Sequence, residues 1–213
     1  MLPQCLRRHR KSSAIKLTAI VLAGGKSGRM GKDKALIPIE GMPLIGRICN
    51  IAKSCSDRVY VVTSWPERYR EIIPNDCHLI PEVPIAGESQ PSGPLVGFVQ
   101  GLVHVESDWV LLLACDLPQL RADVLQDWVV KLTAVQREAI ALLVQQEWGW
   151  EPLCGFYRRS CLPELTQFIQ QGGRSFQQFL ASQTVAELPL GNPEMLFNCN
   201  TPADLEELKI ENC

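Results

Sequence analysis

Paired cysteine motifs are missing from this 213-residue sequence, although it contains nine cysteines. Their number is odd, their spacing is wide and no CxxC pair occurs, so the sequence supports neither a disulfide framework nor a zinc knuckle. Several of them stand within apolar runs, where a free cysteine behaves as a small hydrophobic side chain. We therefore expect reduced thiols and a cytoplasmic protein.

Long apolar runs and an excess of positive charge are missing as well. No stretch approaches the ~18 apolar residues that a membrane span needs. Lysine and arginine number 21 against 23 aspartate and glutamate residues, and the resulting net charge of −2 argues against nucleic-acid binding by bulk electrostatics. We expect neither a membrane nor a nucleic-acid partner, and any phosphate binding must come from a local patch.

The chain has the material for one folded domain. Hydrophobic residues make up 46% of it, so a sizeable core is available. The arginine-rich first 13 residues do not lead into a signal peptide, because the next apolar segment is short, is interrupted by Lys16 and Thr18, and lacks a cleavage site. We interpret residues 1–13 as a disordered basic tail and residues 14–213 as a single domain, since no repeat or clean linker divides them.

Strand-like apolar runs alternate with helix-like segments along this domain. This alternation predicts an α/β fold: a single three-layer, Rossmann-like, doubly wound domain with a mostly parallel sheet. The runs at 139–144 and 152–157 flank a hairpin tip at 148–150, and predict a small antiparallel element at the sheet edge. We also predict an extended piece at 34–39 and a terminal helix at 202–210.

A cationic, glycine-rich loop follows the first predicted strand, Leu17–Leu22. Glycine lets backbone N–H groups approach a ligand, and a concave row of such groups beside cations binds polyphosphates. The spacing matches neither GxxxxGK[ST] nor GxGxxG, which disfavours a Walker site and a dinucleotide fingerprint. Among the residues of the loop are the glycines Gly24, Gly25 and Gly31 and the four cations Lys26, Arg29, Lys32 and Lys34.

Asp116 follows the most apolar strand of the chain, Trp109–Ala114, by two positions. Ligands of open α/β sheets bind at the carboxyl edge of the strands, where the glycine-rich loop also begins. The two features together can hold a nucleoside triphosphate and a divalent ion. The loop would contact the phosphates, and the carboxylate would contact magnesium.

The segment LAGGKSGRMGKDKAL at 22–36 resembles the LAGGxSxRMGxDKxL signature of the molybdenum cofactor guanylyltransferases, a family within the nucleotidyltransferase superfamily. Further similar motifs follow in the family's order. They are Gly93-Pro94-Leu95 with Gly97, the run from Ala114 to Pro118, and a closing segment from Asn198 to Leu205 that resembles NxNTPxDL. The resemblance covers roughly residues 17–208, and so identifies 14–213 as a nucleotidyltransferase domain.

This resemblance implies transfer of GMP from Mg-GTP to the terminal phosphate of molybdopterin, with release of pyrophosphate. It implies that Arg29 and Lys34 neutralise the triphosphate and the departing pyrophosphate, and that Asp116 holds Mg²⁺. A phosphate nucleophile, with a second pKa of about 6, is mostly ionised at neutral pH and needs no general base. This fits the small number of histidines, none of which falls in the motifs: His9, His78 and His104.

The resemblance also implies contacts to the rest of the two substrates. Glu82 lies where the family usually has an aspartate, and a carboxylate there could accept the guanine N–H groups. Asn198 and Asn200 are expected near the acceptor phosphate or the metal, and Asp33 is expected to support the loop or Lys34 rather than bind metal. Backbone contacts to the nucleotide, or the shape of the loop, are expected from Leu22, Ala23, Gly24 and Gly25.

Three alternatives stay open. Molybdopterin cytidylyltransferases carry LAAGxSxRMGxxK, and Gly24 here in place of the second alanine favours guanine. Other small-molecule nucleotidyltransferases, such as those acting on sugar phosphates, are usually longer. A non-catalytic nucleotide-binding homologue is disfavoured by the presence of Arg29, Lys34 and Asp116. Transient contacts with other cofactor-biosynthesis proteins or molybdoenzymes also stay open.

Overall fold

Seven strands form the central sheet of the protein. The computed structural model describes residues 15–24, 33–88, 92–199 and Asp204. The sheet has the order β5-β4-β1-β6-β8-β7-β9, and two further short strands, β2 (Pro38–Ile39) and β3 (Met42–Pro43), pair with each other. The seven strands are β1 (Leu17–Leu22), β4 (Arg58–Thr63), β5 (Cys77–Pro81), β6 (Trp109–Ala114), β7 (Ala141–Gln146), β8 (Gly149–Arg158) and β9 (Val185–Leu188).

The sheet is mostly parallel, as predicted. β1 lies at its centre and pairs in parallel with β4 on one side and with β6 on the other. Only β8 runs in the opposite direction, between β6 and β7. The predicted antiparallel hairpin is therefore confirmed, but it lies inside the sheet rather than at its edge. The edge strand on this side of the sheet is β9. It pairs in parallel with β7, and this pairing satisfies backbone groups that β7 would leave unpaired if it were the edge strand.

Helices cover both faces of the sheet, which confirms the three-layer α/β fold. Alternate side chains of β1 point to opposite faces, so that Ala19 and Val21 join one core cluster and Ile20 joins the other. Strands buried on both faces have nearly continuous apolar sequences, as β1 and β6 do. The helices are α1 (Leu44–Cys55), α2 (Pro66–Tyr69), α3 (Pro94–Leu102), α4 (Ala122–Lys131), α5 (Leu162–Gln170) and α6 (Phe176–Leu180).

The prediction of an extended piece at 34–39 is wrong for its first half. Residues Lys34–Leu36 form a 3₁₀ turn, and the extended backbone begins at Ile37 and continues through β2. Asp33 caps the turn, because its Oδ1 accepts a hydrogen bond from the N–H of Ala35 at 3.1 Å. The predictions for the tail at 1–13 and for the helix at 202–210 fall outside the described residues, except at Asp204.

Two findings bear on the expectations drawn from missing features. Across the described ranges, no helix is long and apolar enough to cross a membrane. Seven cysteines in these ranges carry free thiols, and five of the seven are buried: Cys49, Cys77, Cys154, Cys161 and Cys199.

Candidate active site

A cavity of about 380 Å³ opens at the carboxyl ends of β1, β4 and β6. The chain crosses from one side of β1 to the other at this point, which is where open α/β sheets bind ligands. The N-terminus of α3 forms another wall through Gly93 and Pro94. Six of the predicted site residues line this cavity: Leu22, Ala23, Gly24, Lys34, Glu82 and Asp116.

Asp116 lies at the cavity just beyond the end of β6. The backbone places it there, because Cys115 N donates to Leu22 O at 3.1 Å and so extends the pairing of β6 with β1. Burial raises the pKa of the Asp116 carboxyl, while the positive charge of Lys34 and a backbone hydrogen bond oppose that shift. A carboxylate and an ammonium group from distant parts of the chain thus interact at one edge of the sheet.

Lys34 is the first residue of the 3₁₀ turn that Asp33 caps. The second oxygen of Asp33 accepts two more hydrogen bonds, from Tyr69 Oη at 2.8 Å and from Arg68 Nη1 at 2.6 Å. Both carboxylate oxygens of Asp33 therefore accept hydrogen bonds from protein groups around the start of the turn. These hydrogen bonds agree with the expectation that Asp33 supports Lys34 rather than a metal.

Glu82 projects into the cavity beside Gly24. Its backbone N–H donates to Thr63 O at 2.8 Å, and its Oε2 accepts from Ser64 Oγ at 2.9 Å. Burial raises the pKa of the Glu82 carboxyl, and the hydroxyl of Ser64 opposes this. A Cβ atom on Gly24 would overlap with Oε2 of Glu82, and one on Gly97 would lie 3.4 Å from Oε1. The carboxylate therefore occupies this position because Gly24 leaves it room, whereas a Cβ atom on Gly97 would only contact it.

Asn198 lies outside the cavity lining, but its segment reaches Asp116. Its Nδ2 donates to Leu196 O at 3.3 Å, which is a local turn contact, and the next residue, Cys199, donates its N–H to Asp116 O at 3.0 Å. The other predicted site residues, Gly25, Arg29 and Asn200, lie outside the described residues.

Several polar residues at this edge were not among the predicted site residues. Thr63 is the last residue of β4, and Ser64, Arg68 and Tyr69 come after it. These side chains bond to the backbone or to carboxylates around the cavity. Their position after a parallel strand is the same signal that pointed to Asp116, so the sequence contained a clue to them. Glu151 on β8 is 6% exposed, and burial raises its pKa, with the charge of Asp116 adding to this. Its sequence context offers no comparable signal.

Comparisons with known proteins agree on one family. A family model described as "MobA-like NTP transferase domain" matches residues 19–186. A protein of Nostoc sp. named "Probable molybdenum cofactor guanylyltransferase" is 58% identical over 195 residues, covering 92% of this chain and 91% of that protein. A protein of the same name from Synechococcus elongatus is 40% identical over 192 residues, with 90% and 97% covered.

A solved structure shows the same fold. It is that of the molybdopterin-guanine dinucleotide biosynthesis protein A from Archaeoglobus fulgidus. It superposes with a TM-score of 0.73 at 22% identity, covering 92% of this chain and 98% of that one. The agreement in fold extends along nearly the whole of both chains.

Proposed function

The chain belongs to the MobA-like NTP transferase family, and from this we propose that it is a molybdenum cofactor guanylyltransferase. It transfers GMP from GTP to the terminal phosphate of molybdopterin, forms the guanine dinucleotide form of the cofactor and releases pyrophosphate. The observation that carries this proposal is that Lys34, Glu82 and Asp116 converge on one cavity at the carboxyl edge of the sheet.

The donor set at this edge fits magnesium. Mg²⁺ is usually bound through one or two carboxylates together with substrate phosphates and water, rather than by a cage made entirely of protein. Asp116 supplies a carboxylate that faces the cavity, and no cluster of three or more His, Cys, Asp or Glu side chains suited to a metal occurs in the part of the chain that the structure describes. When bound between Asp116 and the phosphates, the ion would neutralise phosphate charge.

The transfer needs positioning and charge neutralisation more than acid–base chemistry. An oxygen of the acceptor phosphate attacks the α-phosphorus of GTP, and the bond from that phosphorus to the bridging oxygen of the β-phosphate breaks. Pyrophosphate leaves with the electron pair of that bond. We assign Lys34 and Arg29 to its growing charge, and Asn198 and Asn200 to the acceptor phosphate.

Glu82 is proposed to read the base. Guanine presents two neighbouring N–H donors, at N1 and at the 2-amino group, and a carboxylate accepts both. Cytosine presents one amino donor beside two acceptors, so the same carboxylate would repel it at N3 and O2. Contacts to the nucleotide from the backbone of Leu22, Ala23 and Gly24, with Gly25 shaping the loop, complete the proposed site.

The proposal also includes the substrates, the metal ion and the cellular compartment. GTP and molybdopterin are the proposed substrates, Mg²⁺ is the proposed ion and the cytoplasm is the proposed compartment. The seven free thiols in the described ranges suit a reducing compartment.

The proposal is tested by incubating the protein with molybdopterin, Mg²⁺ and each of the four labelled nucleoside triphosphates in turn. We expect pyrophosphate release and a dinucleotide product with GTP, and Mg-GTP should raise the melting temperature more than Mg-CTP or Mg-UTP. Product formation with CTP instead would identify a cytidylyltransferase. Equal melting shifts with no product would identify a non-catalytic nucleotide-binding protein.

Replacing Gly24 by alanine is expected to weaken the preference for guanine while the fold survives. The added methyl group displaces the end of the Glu82 side chain, which is flexible, rather than backbone. We expect kcat/KM for GTP to fall about tenfold and the ratio of GTP to CTP use to fall with it, the size of effect that ~1.4 kcal/mol produces.

Gly191→Ala is the matched control for this variant, because a Cβ atom there meets open space. It should leave kcat/KM for GTP unchanged. An unchanged GTP to CTP ratio in Gly24→Ala would show that Glu82 does not read the base.

A further inference from the structure

The residues from Thr63 to Tyr69, here called the β4–α2 segment, hold both ends of the glycine-rich loop. The loop leaves β1 at Ala23 and Gly24 and returns at Asp33. Thr63 contacts the chain before the loop, and Tyr69 with Arg68 contacts it after the loop. One short segment thus touches both ends of a loop that is eight residues long between Gly24 and Asp33.

The contact before the loop is buried and directional. Thr63 is 0% exposed, and its Oγ1 donates to Ala23 O at 2.8 Å. The same Oγ1 accepts from Trp65 N at 3.1 Å, so its own hydrogen is available for Ala23. Ala23 N also donates to Val62 O at 2.9 Å. Both polar backbone groups of Ala23 are therefore held by the end of β4.

The contact after the loop passes through Asp33 to Lys34. Tyr69 is 1% exposed and donates from Oη to Asp33 Oδ2 at 2.8 Å, while Asp33 Oδ1 caps the turn that begins at Lys34. Burial and the Asp33 carboxylate raise the pKa of Tyr69 well above its ordinary value, so the phenol stays protonated and remains a donor. Arg68 also bonds to Asp33, but its side chain is 44% exposed, so solvent weakens that contact.

We propose that Thr63 and Tyr69 are positioning residues for nucleotidyl transfer, because they set the two ends of the glycine-rich loop and thereby aim Lys34 at the phosphates of the nucleotide. This inference rests on the proposed function. A misplaced Lys34 would lower the rate of the transfer step, in which negative charge grows on the departing pyrophosphate. Catalysis of phosphoryl transfer depends mainly on the positioning of charged groups.

Tyr69→Phe tests the contact after the loop. The variant keeps the buried ring and removes one hydroxyl, so we expect kcat for GMP transfer to fall about tenfold while KM for molybdopterin stays within twofold. In an Asp33→Ala background the same change should have no further effect on kcat, because the acceptor of the hydroxyl is already absent. Additive losses of kcat in the double variant would overturn the coupling.

Tyr157→Phe is the matched control. Tyr157 is equally buried, and its hydroxyl also makes one hydrogen bond, to Pro152 O at 2.8 Å. The two single variants should lose similar thermal stability, but only Tyr69→Phe should lose kcat. Equal losses of kcat in both variants, or a kcat within twofold of wild type in Tyr69→Phe, would show a purely structural role.

Thr63→Val tests the contact before the loop, and it serves if Tyr69→Phe does not fold. Valine has nearly the same shape, with a methyl group in place of the hydroxyl, so both hydrogen bonds of Oγ1 are lost while the packing is kept. The same tenfold loss of kcat is expected. Thr18→Val is its control, because the Thr18 hydroxyl bonds to Ser107 at the opposite edge of the sheet. A loss of kcat in Thr18→Val equal to that in Thr63→Val would overturn the assignment.

Failure of the proposed function would be visible separately. If the wild-type protein transfers no GMP to molybdopterin, calorimetry with Mg-GTP replaces the assay. An affinity reduced about fivefold in Tyr69→Phe, but not in Tyr157→Phe, would still support positioning of the loop. An unchanged affinity would overturn it.

Discussion

Asp116→Asn is expected to abolish GMP transfer and, at the same time, to stabilise the protein in the absence of ligands. The amide keeps the shape of the carboxyl group but lacks the negative charge with which Asp116 is proposed to hold Mg²⁺. Loss of a charge-neutralising group in phosphoryl transfer lowers kcat roughly 10³-fold. Release of pyrophosphate from GTP in the presence of molybdopterin measures this directly.

The expected gain in stability follows from burial. Burial raises the pKa of Asp116 in the folded protein above its value in the unfolded chain. A group shifted in this direction contributes its stability below the unfolded pKa and loses it as the pH rises through the folded pKa. At pH 7 the ionised carboxylate therefore opposes folding, and an uncharged amide should raise the melting temperature of the ligand-free protein by a few degrees.

Mg-GTP should raise the melting temperature of the wild type but should lose most of this effect in Asp116→Asn. Asp123→Asn is the control, because Asp123 on α4 is exposed, pairs with Arg121 and does not line the cavity. It should transfer GMP at the wild-type rate. Near-normal turnover in Asp116→Asn would mean that the metal-binding carboxylate has been wrongly assigned.

Lys34→Ala is expected to have the second large effect, again roughly a 10³-fold loss of kcat. The ammonium group interacts with the carboxylate of Asp116 in the cavity, where its charge opposes the rise in the pKa of Asp116 that burial causes. Its removal leaves the charge of the departing pyrophosphate uncompensated, so kcat should fall more than the affinity for GTP. Single-turnover measurements with labelled GTP separate these two quantities.

Lys34→Arg should not restore full activity, because a planar guanidinium group cannot occupy the place of a compact ammonium group on a short turn. Lys53→Ala provides the control for removal of a lysine. Lys53 pairs with Asp76 at 2.7 Å, next to the N-terminal end of β5 and so at the edge of the sheet opposite the cavity. If Lys34→Ala turned over GTP as fast as Lys53→Ala, the assignment of Lys34 would be wrong.

The hairpin β7–β8 shows that a local sequence pattern predicts strand pairing but not the position of the paired strands in the sheet. Two apolar runs around a Gly between tryptophans predict that the strands pair, since the contact is local along the chain. The neighbours of the pair depend on β6 and β9, which come from distant parts of the chain. The local sequence of the hairpin does not determine which strands lie beside it. The same sequence would suit an edge of the sheet, and only the pairing with β6 and β9 places it inside.

Asp33 and Glu82 also show the difference between what a local sequence motif predicts and what depends on contacts between distant residues. Their places in the motifs led to the expectations that Asp33 supports Lys34 and that Glu82 accepts the guanine N–H groups, and the structure places Asp33 at the cap of the turn and Glu82 in the cavity lining. The partners that hold them, Tyr69 and Ser64, are 36 and 18 positions away and became visible only through their hydrogen bonds. Hydrogen-bonding side chains are common in any sequence, so their type alone does not reveal which of them meet.

The sequence by itself determined the family, the order of strands and helices, and the cations and carboxylate of the proposed phosphate site. These depend on short-range patterns: apolar periodicity, glycine spacing and dense motifs. The tertiary structure decided which residues surround those groups, including the room that Gly24 leaves for Glu82 and the hydrogen bonds from Thr63 and Tyr69 to the two ends of the loop. Such contacts join residues that are distant in the chain, and packing of the whole sheet is what brings them together.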